Sequence, residues 1–147
     1  MRYGVHNKLE GGFNEYFTNV RTENFGEEAK RRIILGTFAR MSGYREQYYM
    51  KSMRVRTLII QDFKKTFKHF DVIAAPTMPV IAPRFKEIEK LTPLENYQMD
   101  VLTVPPNLAG IPMISVPCGN MSGLHLMADH LEEEKMLGVA AAYEAIR

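Results

Sequence analysis

An α/β protein is what this sequence predicts, and three observations predict it. Two long segments carry apolar residues at helical spacing, three short runs are apolar almost throughout, and the closing segment returns to a helical period. Residues 1 to 23 are polar with no sustained period and are expected to form an irregular lead-in. From Asn24 the pattern changes. Asn24 or Thr22 can cap a helix whose first turn holds Glu27 and Glu28, as the helix dipole prefers. Ile33, Ile34, Thr37, Phe38 and Met41 follow at helical steps, and Gly43 is the expected stop. A second helix is predicted from about Tyr44 to Phe70, with Tyr49, Met53, Ile60, Phe63, Phe67 and Phe70 as its buried stripe.

Asp71 to Pro76 is a short apolar run between turn signals and predicts a buried strand. Pro76, Pro79, Pro83 and Pro93 then interrupt regular structure, and a connection of this length inside a domain is usually functional or a contact surface. A helical piece is expected around Leu94 to Leu102, and a turn region of small residues at Pro105 to Gly110. Met113 to Val116 and Leu124 to Met127 read as two strands of a hairpin. Asp129 with Glu132 fits a capping box. The final helix should reach Ala145 and offer Leu131, Met136, Leu137, Ala140, Ala141 and Tyr143 for burial. Three strands make a small sheet with open edges, which suggests part of something larger.

The composition sets limits on function. The 147 residues are 46% hydrophobic and 24% charged, as in an ordinary globular domain. Nineteen Lys and Arg against seventeen Asp and Glu leave +2, too balanced to imply nucleic-acid binding by charge. Apolar runs are too short for a membrane span, and the first six residues have no apolar signal core. A single cysteine, Cys118, excludes an internal disulfide and a multi-cysteine zinc site. A cytoplasmic protein is the simplest expectation. Phosphate-cradling glycine loops, a paired-histidine zinc motif and a G-x-S-x-G elbow are all absent. In Gly119-Asn120-Met121-Ser122-Gly123 the serine stands one place too late for the elbow.

Among residues that could do chemistry, Lys30-Arg31-Arg32 is the densest basic run. It reads either as a solvated helix face with its stems lying over apolar surface, or as one arginine turned inward to hold a carboxylate through its planar fork. Asp100, among Met99, Val101 and Leu102, either caps a helix or faces solvent, or else faces a pocket where it could hold an ammonium group. Asp129, His130, Glu133 and Glu134 are explained by capping and a charged first turn more simply than by a metal. Cys118 is expected to be a buried, inert thiol and Ser115 a structural residue. Tyr44, Tyr48, Tyr49 and Met50 are expected to pack in the core.

The words of the sequence also carry a resemblance. Phe25-Gly26-Glu27-Glu28-Ala29-Lys30-Arg31-Arg32-Ile33-Ile34-Leu35-Gly36-Thr37-Phe38 resembles the segment that opens the C-terminal third of the amidase-signature family, above all in its aspartyl/glutamyl-tRNA amidotransferase A subunits. Val55-Arg56-Thr57-Leu58-Ile59, Asp71-Val72-Ile73-Ala74-Ala75-Pro76-Thr77, Val104-Pro105-Pro106-Asn107-Leu108-Ala109-Gly110-Ile111-Pro112 and Ser115-Val116-Pro117-Cys118-Gly119 follow in the family's order and spacing. The resemblance runs from residue 2 to 147. It implies the C-terminal part of an α/β/α sandwich with a mixed sheet, incomplete on its own.

It also implies a chemistry. Such proteins hydrolyse glutamine with a Ser–cis-Ser–Lys triad, and the ammonia amidates misacylated tRNA in a partner that uses ATP and magnesium. The triad belongs to the family's N-terminal half, and this sequence has no Ser-Ser pair and no Gly-Gly-Ser. The resemblance maps the family's glutamine-holding residues to Arg32, for the α-carboxylate, and Asp100, for the α-ammonium. It implies B and C subunits and the missing N-terminal half as partners, tRNA contacted only indirectly, no cofactor held by this chain, and no glutaminase activity from the chain alone. Rivals are a fragment of another amide hydrolase of the family, favoured less by Tyr-Tyr-Met-Lys-Ser, a non-catalytic assembly module, or a truncated reading frame. One departure stands out: Asn120-Met121-Ser122 replaces a longer connection of the family, so the hairpin is shortened. A one-residue slip there would expose the apolar face and should be resisted.

Overall fold

The structure, a computed structural model, describes residues 11–146. They fall into two compact units that divide between Ser52 and Met53. The first unit is helical. α1 spans Phe13–Asn24 and α2 spans Glu27–Arg40; after Gly43, which takes a left-handed φ of 89°, a π-helical turn at Glu46–Met50 follows. The expected irregular lead-in is therefore helical from Phe13 onward, and residues 1–10 of it lie outside the described residues. The overlooked signal is the half-buried set Tyr16, Phe17 and Val20, one helical turn apart with no glycine or proline between. α2 starts from Gly26 rather than from Asn24 or Thr22, and no side chain caps it.

No side chain of the first unit is buried among the described residues. Ile33, Ile34 and Met41 of the predicted stripe are more than half exposed. Tyr44, Tyr48 and Tyr49 also lie at the surface, against the expectation of core packing. Phe38 stacks on Tyr44 at 4.5 Å and on Tyr48 at 5.8 Å between ring centroids, which links α2 to the π-helical turn. The guanidinium groups of Arg40 and Arg45 each stand 5.9 Å from the Tyr49 ring centre.

The second unit is the α/β part. α3 (Lys51–Thr66) leads to β1 (Val72–Pro76); three short helices follow, α4 (Phe85–Ile88), α5 (Pro93–Gln98) and α6 (Val104–Ala109); then come β2 (Met113–Gly119), β3 (Ser122–Ala128) and α7 (Glu133–Ile146). The sheet order is β1-β3-β2, and both pairings are antiparallel. Strand alternation sends Leu124, Leu126 and Ala128 to one face and His125 and Met127 to the other. On the first face Val116, Leu126 and Ala128 pack with Met136 and Ala140 of α7. On the second, Met127 packs with Ala109 and Ile111, against which Ile59, Ile60 and Phe63 of α3 and Phe67 just after it lie. Helix, sheet and helix thus form three layers, with β3 at their centre and, after Ser122, apolar except for His125. Pro76 and Pro117 sit on β1 and β2, the edge strands, where a missing N–H interrupts no pairing.

Local chemistry explains where the elements differ from expectation. Pro105 and Pro106 open α6, where a missing N–H is harmless, and Gly110 closes it at φ 74°, so the expected turn is a short helix. α5 begins at Pro93 behind a capping box made by Thr92 and Glu95, and it ends at Gln98 rather than Leu102. The Asp129–Glu132 box does not form. Asp129 Oδ1 accepts the His130 N–H at 2.8 Å, Leu131 turns to φ 65°, and α7 starts only at Glu133. Leu131, Leu137 and Ala141 stay exposed, and Phe70 lies outside the stripe of α3. The shortened hairpin closes through Asn120 and Met121, whose φ of 45° and 55° match the turn that suits strand twist. Its register puts Ser115 opposite His125 and Ile114 opposite Leu126, with an irregularity at Cys118, so no slip exposes the apolar face.

Candidate functional site

Each candidate residue belongs to one unit, and each unit has its own geometry. In the first, Glu28 lies one helical turn before Arg31 and Arg32, so its carboxylate meets both. Arg31 Nη1 donates to Glu28 Oε2 at 2.8 Å and Arg32 Nε to Oε1 at 2.9 Å. The Arg32 side chain is 60% exposed. The two alternatives for this run are thereby joined: the arginine does hold a carboxylate, but on a solvated face and from its own helix. Such an exposed pair is worth about 0.3–0.5 kcal/mol and exchanges readily for another carboxylate.

In the second unit Asp100 follows α5 and is half-buried. Its carbonyl oxygen accepts the N–H groups of Thr103 and Val104, each at 3.0 Å, and so starts α6. No lysine or arginine pairs with its carboxylate among the described residues. The segment is anchored from α3, because Arg56 Nε donates to the Leu108 carbonyl at 2.7 Å. That oxygen lies near the C-terminal end of α6, where a cation is favoured.

Two distant motif segments meet on the α3 side of the sheet. Thr77, just after β1, and Ser115 of β2 share a hydrogen bond of 2.6 Å between their hydroxyls. The bond passes over Gly123 of β3, which leaves no room there for a Cβ. Beside it on the same face His125 is only 2% exposed, and its Nδ1 has no hydrogen-bond partner. Burial pushes the imidazole below its ordinary pKa, so it is neutral at pH 7. Sequence reasoning passed over His125, Thr77 and Arg56. The polar residue inside Leu-His-Leu-Met and the threonine closing Ala-Ala-Pro-Thr were the available signals.

Cys118 is exposed, not buried, and its Sγ accepts a hydrogen bond from the Tyr143 hydroxyl of α7 at 3.1 Å. Asp129 and His130 hydrogen-bond each other, and no group of three or more His, Cys, Asp and Glu among the described residues is placed to hold a metal ion. No helix among them is long and apolar enough to cross a membrane.

Comparison with known proteins gives this geometry its context. The amidase family model matches residues 3–137. The glutamyl-tRNA(Gln) amidotransferase A subunit of Halothermothrix orenii is 48% identical over 149 aligned positions, which cover 98% of this chain and 31% of that protein. The A subunit of Bacillus cytotoxicus is 47% identical, with 98% and 30% covered. A crystal structure of the A subunit from Thermotoga maritima superposes with a TM-score of 0.59 at 35% identity, over 86% of this chain and 28% of that one. The chain therefore spans about a third of the length of the relatives it matches.

Proposed function

We propose, since the chain belongs to the amidase family, that it is the C-terminal part of a glutamyl-tRNA(Gln) amidotransferase A subunit and supplies the residues that hold glutamine. The observation that carries this is the match along 98% of the chain at 48% identity to a protein of that name. Arg32 would exchange the Glu28 carboxylate for the α-carboxylate of glutamine, whose two oxygens suit a guanidinium fork. Asp100, half-buried and without a cationic partner among the described residues, would take the α-ammonium. The Ser–cis-Ser–Lys triad would come from the part of the family's length that this sequence does not contain. Ammonia released there would pass to a B subunit, braced by a C subunit, and amidate misacylated Glu-tRNA(Gln) or Asp-tRNA(Asn) as a cytoplasmic ligase. ATP and magnesium would be bound in that partner, and this chain would hold neither.

Reconstitution tests the reading. The chain is mixed with the remaining length of the Halothermothrix orenii protein and with its B and C subunits, and ammonia release from glutamine is followed. Release is expected only from the mixture, with no activity from the chain alone. Arg32→Ala and Asp100→Ala should raise KM for glutamine at least about tenfold, the loss of one charge-assisted contact each, without preventing assembly. An assembled complex that hydrolyses simple amides but not glutamine would establish an amide hydrolase instead. An unchanged KM in both variants would remove the two residues from the site.

A further inference from the structure

The long proline-rich connection after β1 does more than join elements. With α5 it encloses a cleft of about 290 Å³ that the glutamine reading does not use. Val80, Ile81 and Pro83 of the connection line it, together with Leu91 and Met99, which stand just before and just after α5. The volume lies at the lower end of ligand pockets, too small for a nucleotide and matched to one long side chain or a short alkyl group.

One charged residue, Glu95, contributes to this apolar lining. Its carboxylate is fixed by the capping box: Oε2 accepts the Thr92 N–H and the Thr92 hydroxyl, each at 2.7 Å. The Thr92 backbone, and after it the Thr92 hydroxyl, hold Glu95 below the usual carboxylate pKa, so it carries its charge across the neutral range. Among the described residues no lysine or arginine pairs with it. An anion entering the cleft would be repelled. A wholly apolar guest would fill the walls and leave the charge at the rim unused. A guest with an apolar stem and a cationic head satisfies both the walls and the charge.

We propose that this cleft is a binding site for an alkyl cation, a chain of several methylenes ending in an ammonium or guanidinium group, with Glu95 facing the head and Val80, Ile81, Leu91 and Met99 covering the stem. The site goes beyond the glutamine reading and does not depend on it. The free small molecule and the lysine or arginine side chain of a polypeptide share this chemistry.

Methyl NMR of the full chain tests it, with n-hexylammonium, n-hexanol and n-hexanoate as probes and an oligolysine peptide as the polypeptide arm. Saturable shifts are expected at the Ile81, Leu91 and Met99 methyls with hexylammonium, while the Leu126 and Met136 methyls report an undisturbed core. Hexanoate should bind about tenfold more weakly, since its charge is repelled where the other is attracted. Glu95→Gln keeps the capping box, which accepts Gln as well as Glu, and should reduce that preference to about twofold or less. Shifts with oligolysine at the same methyls would assign the site to a polypeptide partner, and shifts with hexylammonium alone to a small molecule. Equal affinity for hexanoate and hexylammonium, a preference unchanged in Glu95→Gln, or no saturable shift at these methyls would overturn the proposal.

Discussion

Substituting Gly123 by alanine probes the meeting point of two motif segments with a single methyl group. A Cβ built on Gly123 stands 2.5 Å from Thr77 Oγ1 and closer still to Ser115 Oγ, the two atoms that hydrogen-bond across it at 2.6 Å. Ordinary contact begins at 3.4 Å, about an ångström more on each side, so both hydroxyls must give way. Thr77 is β-branched and stiff, so Ser115 rotates while Thr77 has to shift with its backbone. The change then forfeits one hydrogen bond, about 0.5–1.5 kcal/mol, and adds side-chain strain of about 0.5–1.5 kcal/mol. Against this, alanine restricts the unfolded chain and returns about 0.4–1 kcal/mol, because Gly123 needs no left-handed backbone. The net expectation is a loss of roughly 1–2 kcal/mol, read in urea unfolding as a midpoint lowered by about 0.5–1 M. In a Ser115→Ala background one of the two obstructing hydroxyls is gone while Thr77 Oγ1 remains at 2.5 Å, so Gly123→Ala should still cost stability but less than in the parent chain. A midpoint that stays or rises in the single variant, or an equal cost in both backgrounds, would refute the reasoning.

Two further predictions concern the same hairpin and its central strand. Met121→Gly should stabilise the chain by about 0.5–1 kcal/mol in urea unfolding, since an 80% exposed methionine at φ 55° loses strain and no packing. His125 is buried neutral, and its folded pKa lies below the unfolded value near 6.5. Above pH 6.5 both states are neutral and it contributes no pH dependence. As pH falls below 6.5 only the unfolded chain takes up the proton, so stability drops at up to about 1.4 kcal/mol per pH unit until the folded pKa is reached. A His125→Leu variant, followed by urea midpoints from pH 7.5 to 5, should lack this share of the acid sensitivity; a parallel decline in both proteins would dismiss it.

The elements with a strong period were legible in the sequence. β1, the hairpin and the stripe of Ile60 and Phe63 on α3 with Phe67 just after it stand where the apolar pattern put them, because each is covered on at least one face. α2 differs: its stripe of Ile33, Ile34 and Met41 is real in the sequence, yet nothing buries it among the described residues. Pattern reports the capacity for burial, and only a partner surface realises it. Short helices opened by proline, such as α6, looked like turns because Pro-Pro signals both. Of the candidate site, the basic run holding Arg32 and the carboxylate of Asp100 among apolar neighbours stood out in the sequence, and the resemblance alone gave the two residues their roles. Arg56, Thr77 and His125 escaped because their roles arise from contacts across the fold, such as the hydroxyl pair that joins residues 77 and 115. No local window contains such a pair.

The central place of β3 has a consequence for the chain during synthesis. Both layers of the second unit close on this strand, yet it follows α3 by some 60 residues and β1 by about 50. At a translation rate of about 5–20 residues per second, Phe63 and Phe67 wait roughly 3–12 s for the strand that helps cover them. The hairpin itself closes in microseconds once made, so the ribosome and not the pairing sets this delay. During it the half-made sheet has no middle. A slow codon run between residues 80 and 120 should therefore raise aggregation of the nascent chain while leaving the finished protein's stability untouched.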